Sequence, residues 1–209
     1  MKIQEPKVSR VEEYNLLDAY KENTYNNMSF KENINEYIEI SNNTFDSCIF
    51  SNIDFNNIEL DNIELIDVIF ENCDLSNKKF DNTLIQRVKF INCKMIGTTF
   101  IDSSIKDVIF ESCNAKYINF SNARITKLII NESDISEMCF QETTIKDLEL
   151  NDTNLYRAEI TRTPLKNIDV STCKIENLII DFESLQGLII DRFQSIDLVS
   201  MLGVKVKGE

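Results

Sequence analysis

The side chains best able to do chemistry here are six cysteines and 35 carboxylates, with no histidine among them. Without imidazole there is no Ser-His-Asp or Cys-His site, no His-ligated zinc and no imidazole general base. Four glycines are too few for a phosphate-cradling loop. Cys73, Cys93, Cys113 and Cys173 are spaced by multiples of twenty, with Ser133 and Thr153 filling the gap. Metal ligands converge on a point, commonly as C-x-x-C pairs, and a column does not converge. These four read as buried small side chains kept as thiols. Cys139 falls outside the column at an outward position and is the candidate reactive thiol; an inert one is the simpler reading. Asp61 and Glu64 stand close enough to suggest an acid–base pair, but carboxylates scattered over a convex surface without a pocket read as solvated acids. Asn42-Asn43-Thr44, Asn131-Glu132-Ser133 and Asn151-Asp152-Thr153 match the glycosylation pattern by coincidence in an Asn-rich chain. Neither catalysis, nor a cofactor, nor a metal is expected.

What positions these residues is a five-residue period. Every fifth residue from Phe45 to Ile190 is apolar, among them Phe50, Phe70, Phe90 and Phe110. The position two residues earlier is mostly small or apolar, as at Cys48, Ile53 and Val68. Five fits neither the helical nor the strand period. It fits a chain that points two side chains inward, three outward, and turns a corner each unit. Four units close a square coil of twenty residues, and Val68-Ile69-Phe70, Val88-Lys89-Phe90 and Val108-Ile109-Phe110 carry that second period. The fold class is an all-β solenoid: a right-handed quadrilateral β-helix of about seven to eight coils, roughly 35–40 Å long. Each large inward side chain contributes about 1.5–3 kcal/mol on burial. Four glycines and two prolines supply few of the usual turn residues, so the architecture must turn its corners without glycine.

Three regions follow. Residues 1–29 are an N-terminal cap, a short helix or an irregular segment, with Val8, Val11, Tyr14 and Leu17 at helical spacing and Tyr20, Tyr25 and Phe30 keeping the register. Residues 30–190 form the β-helix, imperfect at Asn33, Asn35 and Asn43, with local distortion expected where Lys78 and Glu183 fall at inward small positions. Residues 191–209 form an amphipathic helix, started by Asp191 and ended by Gly203, and a short tail.

The five-residue pattern resembles the pentapeptide-repeat proteins over about three quarters of the chain. The C-terminal residues Leu185, Gly187, Phe193, Gln194, Leu198, Leu202, Gly203, Val204 and Val206 make it similar to the Qnr-type quinolone-resistance proteins and their mycobacterial relative MfpA. The resemblance implies an end-to-end homodimer through Phe193, Ile196, Leu198, Val199, Leu202, Val204 and Val206. It also implies a DNA-mimicking binder of type II topoisomerases, DNA gyrase or topoisomerase IV. The chain lacks the inserted loops of many Qnr proteins, so the resemblance carries topoisomerase binding further than drug protection.

Charge sorts by face. The formal net charge of −13 disfavours direct nucleic-acid binding. One face carries Asp54, Glu71, Asp74, Glu111, Glu132, Asp134 and Asp152 against Lys94 and Lys174. The opposite face carries Asp61, Glu64, Asp81, Asp102, Glu142 and Asp181 against Arg124 and Arg162. The third face is balanced in charge, and its outward column Ile49, Ile69, Ile109, Ile129, broken by Lys89, reads as a hydrophobic binding stripe, as a strip covered by the N-terminal segment, or as ordinary β-branched surface. The repeat region carries about −10 where duplex DNA of its length carries roughly 22, so mimicry of charge is partial. The alternative function is an interaction scaffold for a partner other than a topoisomerase. No apolar run spans a membrane and the start is no secretion signal, which sets the expectation of a cytoplasmic protein.

Overall fold

The computed structural model describes residues 2–19, 23–31, 34–201, 204–205 and 207. Tyr20, Asn33, Leu202, Gly203 and Val206 lie outside them.

Strands pair in parallel with strands twenty residues on. Glu64–Glu71, Leu84–Ile91, Ser104–Glu111 and Arg124–Asn131 run side by side with Phe70 opposite Phe90 and Phe110 opposite Ile130. The other sides are held by short strands and single bridges, such as Lys79 to Thr99 and Thr99 to Asn119. The result is the expected four-sided β-solenoid, with about eight turns.

The corners explain how so little glycine suffices. At most corners the residue two after the central apolar side chain sits in the left-handed region: φ is 58° at Asn52, 54° at Asn72, 57° at Asn82 and 51° at Asn92. Asparagine and aspartate enter that region at least cost among non-glycine residues, which accounts for the Asn-rich composition. Of the glycines, Gly97 and Gly187 do this work, with φ of 70° and 80°. Arg87, Tyr117 and Lys127 also take it, at about 1–2 kcal/mol each. Hydrogen bonds between coils offset that cost, as where the Asn72 and Asn92 N–H groups donate to the carbonyls of Ile91 and Glu111, both at 2.9 Å.

Inside, rings stack coil upon coil. Phe50–Phe70, Phe70–Phe90 and Phe90–Phe110 have centroids 4.8, 5.1 and 4.9 Å apart and nearly parallel planes. A second stack, Phe80–Phe100–Phe120, meets the first edge-on, with Phe90 and Phe100 6.3 Å apart. The inward small positions are also hydrogen-bond donors. The Cys93 thiol reaches the Phe70 carbonyl at 3.5 Å and the Ser103 hydroxyl reaches that of Phe80. Cysteine, serine and threonine are interchangeable here because each donates to a carbonyl twenty-three residues earlier, as Thr143 does to Phe120 at 2.8 Å. Burial pushes the Cys48 thiol up to about 11.

Of the two expected distortions, one occurs. At Lys78 the backbone stays regular, and the buried ammonium donates to the Ile58 carbonyl at 2.9 Å. At Glu183 the coil is interrupted by α1 (Phe182–Leu185), capped by Asp181, whose carboxylate accepts from the Ser184 N–H at 2.7 Å. Ser184 takes the inward place and Glu183 turns out to solvent.

The ends close the rod. Residues 2–11 form no helix; the helical spacing of Val8, Val11, Tyr14 and Leu17 is overridden because this segment runs extended along the rod. Its first paired strand is Glu12–Glu13, against Met28–Ser29, and the one helical turn there is the 3-10 turn Leu16–Asp18. Thr24–Asn26 already pairs with Thr44–Asp46 in the twenty-residue register, so coil structure starts before residue 30. At the other end α2 (Gln194–Met201) lies across the last coil. Its Gln194 amide donates to the carbonyls of Val170 at 2.8 Å and Cys173 at 2.7 Å, satisfying groups a stacked coil would otherwise bond.

Candidate partner-binding faces

The first acidic face is built on one straight column. Asp54, Asp74, Lys94, Asn114, Asp134, Asn154 and Lys174 are bridged each to the next. The acids in it serve the fold as well as the surface. Asp54, Asp74 and Asp134 accept from the N–H two residues on, at Asn56, Ser76 and Ser136, at 2.8, 3.0 and 3.0 Å, and Asn154 does the same for Tyr156 at 3.0 Å. Lys94 pairs with Asp74 at 2.9 Å and Lys116 with Asp134 at 3.4 Å. Burial opposes ionisation of Asp74, but hydrogen bonding from Ser76 and Lys94 outweighs it and holds the carboxyl below its usual range. Asp134 is lowered in the same way through Ser136 and Lys116. In the flanking columns Glu111 pairs with Lys89 at 2.7 Å, while Glu71, Glu132 and Asp152 are exposed. Glu132, Asp134, Asp152, Asn154 and Lys174 line a shallow groove on this face.

On the opposite face Asp61, Glu64 and Asp102 are exposed. The Thr44 hydroxyl donates to Glu64 at 3.3 Å, and the half-buried Asp81 accepts from the Ile101 N–H at 2.8 Å. Arg162 neutralises Glu142 at 2.8 Å. Of the acids on these two faces, Asp74, Glu111, Asp134 and Glu142 are ion-paired.

The set assigned to the dimer end divides. Phe193 and Ile196 are 72% and 52% exposed, and Val204 is exposed. Leu198 packs against the core instead, and Val199 is half-buried. Leu202 and Val206 lie outside the described residues. Sequence reasoning missed Ile179, Phe182 and Ile189, large exposed apolar side chains on the last coil beside this helix in sequence. Their signal was present: apolar residues at outward positions, crowded where the register ends.

A second feature was missed on the balanced face. Asp67, Arg87, Asp107 and Lys127 form an outward column of alternating sign at twenty-residue spacing. Arg87 grips Asp67 with two hydrogen bonds of 2.6 Å. The N-terminal segment lies over this column: the Lys7 N–H donates to Asp67 at 2.9 Å and the Gln4 N–H to Asp107 at 3.1 Å. Ile109, two residues from Asp107, is buried, so the isoleucine column is not open surface there. The alternation of sign at period twenty was the available signal.

The lowered carboxyls of Asp67, Asp74 and Asp134 fix a pH dependence. Each binds its proton less tightly folded than unfolded. Its contribution is therefore present above the ordinary carboxyl value of 3.8 and lost as pH falls through the lower folded values. The melting midpoint should stay level from about pH 7 to about pH 5 and fall below about pH 4. Asp67→Asn should flatten that fall. A midpoint that drops equally in the variant would assign the acid response to other groups.

Among the described residues no three His, Cys, Asp or Glu side chains gather where they could hold a metal ion. No helix there is long and apolar enough to cross a membrane.

Residues 63–138 match the family model described as the pentapeptide repeat region, and residues 7–100 match that of the SV2A/B/C luminal domain. No curated protein matches the chain. Among solved structures, a trypsin-treated variant of QnrB1, a plasmid-mediated fluoroquinolone resistance protein, is similar at 18% identity. The alignment covers 96% of this chain and 98% of that one, with a TM-score of 0.47. HetL, a pentapeptide repeat protein involved in heterocyst differentiation regulation from the cyanobacterium Nostoc sp. strain PCC 7120, is similar at 10% identity. That alignment covers 79% of this chain and 84% of HetL, with a TM-score of 0.37. With its unbroken five-residue register and four-sided coils, the chain has the pentapeptide-repeat fold, and residues 63–138 match the model of that repeat region.

Proposed function

We propose that this chain is a non-catalytic, cytoplasmic DNA mimic that binds a type II topoisomerase, DNA gyrase or topoisomerase IV, and modulates it. The observation that carries the reading is the alignment of carboxylates on two opposite sides of a rod, repeated at the coil spacing. A saddle that receives duplex DNA is positively charged, and it would meet negative potential from either side of such a rod. The phenotype that follows in a cell is lowered quinolone susceptibility. The test is a supercoiling assay titrated with purified protein, with and without ciprofloxacin, at two salt concentrations. Inhibition or drug protection that weakens as salt rises supports the reading, because exposed charges are screened over about 8–10 Å near physiological ionic strength. No effect at micromolar protein overturns it.

The rod acts as a homodimer joined at its C-terminal end, in this reading, through Phe193, Ile196 and their exposed neighbours. Exposed apolar side chains of this size crowded on one end mark an association surface. Phe193→Glu with Ile196→Glu should yield a monomer of unchanged melting midpoint by sedimentation. Leu198→Glu, in contrast, should lower the midpoint, because that side chain packs on the core. A wild-type chain that sediments as a monomer at tens of micromolar would sink the dimer.

A further inference from the structure

The segment lying across the balanced face is held in a way that defines a binding site. From Gln4 at Asp107 to Lys7 at Asp67 the chain advances three residues and crosses two coils. Three residues of extended chain span about 10 Å, and two coils at about 4.8 Å span the same. The polar contacts on the segment's side are main-chain: the N–H groups of Gln4 and Lys7 donate, and the Lys2 carbonyl accepts from the Lys127 ammonium at 3.0 Å. The side chains of Gln4, Glu5 and Lys7 are exposed, whereas Ile3, Pro6 and Val8 are half-buried. Pro6 has no N–H and sits between the two donors, where its fixed φ favours extended chain.

The wall of the site is prepared by the coils themselves. Arg87 fixes Asp67 from beside it. Asp107 is 1% exposed, and Lys127 stands 3.8 Å from its Oδ1. Its Oδ2 is buried with no hydrogen-bond partner among the described residues. The segment's Gln4 N–H takes the other oxygen, Oδ1, so it supplies a hydrogen bond to a buried carboxylate that the coils leave short of partners.

We infer that this groove is a peptide-docking site, that residues 2–8 are its resident ligand, and that the same segment of a second copy can take their place. Because the groove reads main chain, a second copy's segment makes the same contacts as the chain's own, which is the condition for exchange of an identical element. Such exchange lays two rods side by side, apart from any contact at the C-terminal end. In the wild-type chain the tethered segment is present at an effective concentration on the order of millimolar, so binding in trans is suppressed until that segment is released.

The test uses the full-length chain carrying Gln4→Pro and Lys7→Pro, which deletes both donors and leaves the groove untouched. A synthetic peptide of residues 2–11 is titrated to about 2 mM, matching the tethered concentration, while amide NMR signals of Asp67, Arg87, Asp107 and Ile109 are followed. Saturable shifts in the variant, at least tenfold weaker binding to the wild-type chain, and no shifts from a peptide with proline at both donor positions are expected. Absence of saturable shifts, or equal shifts from the proline peptide, overturns the proposal. So does a variant whose groove signals match those of the wild type before any peptide is added. Should the variant fail to fold, the wild-type chain carries the test. The peptide at that concentration should at least double the rate of tryptic cleavage after Lys7, and no increase overturns the proposal.

Discussion

Asp54→Asn, Asp74→Asn and Asp134→Asn, made together, are expected to weaken inhibition of the topoisomerase at least tenfold while moving the melting midpoint by no more than about 4 °C. The separation of the two effects follows from the column these acids share. Each accepts a hydrogen bond from the N–H two residues on, and Asn119 and Asn154 make that same bond with an amide oxygen. Asparagine therefore keeps the turn and removes only the charge. The ion pairs lost with Lys94 and Lys116 are partly exposed and worth about 0–1 kcal/mol apiece. Lysine at the three positions should abolish inhibition altogether, by placing like charge against the enzyme's DNA saddle. Inhibition unchanged in the Asn triple variant would remove this face from the mechanism.

The largest effect on stability should come from Phe90→Ala, at about 3–5 kcal/mol. That ring is fully buried, lies between Phe70 and Phe110 at 5.1 and 4.9 Å, and meets Phe100 edge-on. Its removal opens a cavity between two coils whose strands are fixed in register and cannot collapse to fill it. A drop of roughly 6–20 °C in melting midpoint is expected for a chain of this size. Phe193→Ala, at a ring 72% exposed, should change stability by less than about 0.5 kcal/mol. A cost below about 1 kcal/mol for Phe90→Ala would mean that the stack is not the source of rigidity.

Much of this architecture was legible because the solenoid repeats a single local rule. Phe50, Phe70, Phe90 and Phe110 stand twenty residues apart in the sequence and one above another in space, so period translates directly into position. The face assignments of Asp54, Asp74 and Asp134 follow from the same arithmetic. What the period does not encode is what lies against it. Val8, Val11, Tyr14 and Leu17 carry a helical spacing, but Glu12 and Glu13 pair with Met28 and Ser29, and the Tyr14 N–H donates to the Ser29 carbonyl, which commits this stretch to extended chain. The resemblance assigns Leu198 to an association surface; which stripe of its helix faces the rod is decided by Gln194, whose amide must reach two carbonyls of the last coils. Lys78 looks like a defect in a pattern of small side chains, yet its long apolar stem fits inward and its ammonium finds a carbonyl. Glu183 could not be accommodated that way, and the coil admitted a helical turn instead.

The segment along the balanced face also changes how the molecule comes apart. In stacked repeats each coil touches only its neighbours, so unfolding can begin at either end and stop anywhere between. Here Lys127 holds a carbonyl 125 residues earlier in the chain, and Asp107 and Asp67 hold amides 103 and 60 residues away. These are long loops closed by single contacts, and they tie coils that would otherwise melt independently into one cooperative block. The rod thereby gains what a one-dimensional array lacks: a dependence of its middle on its beginning.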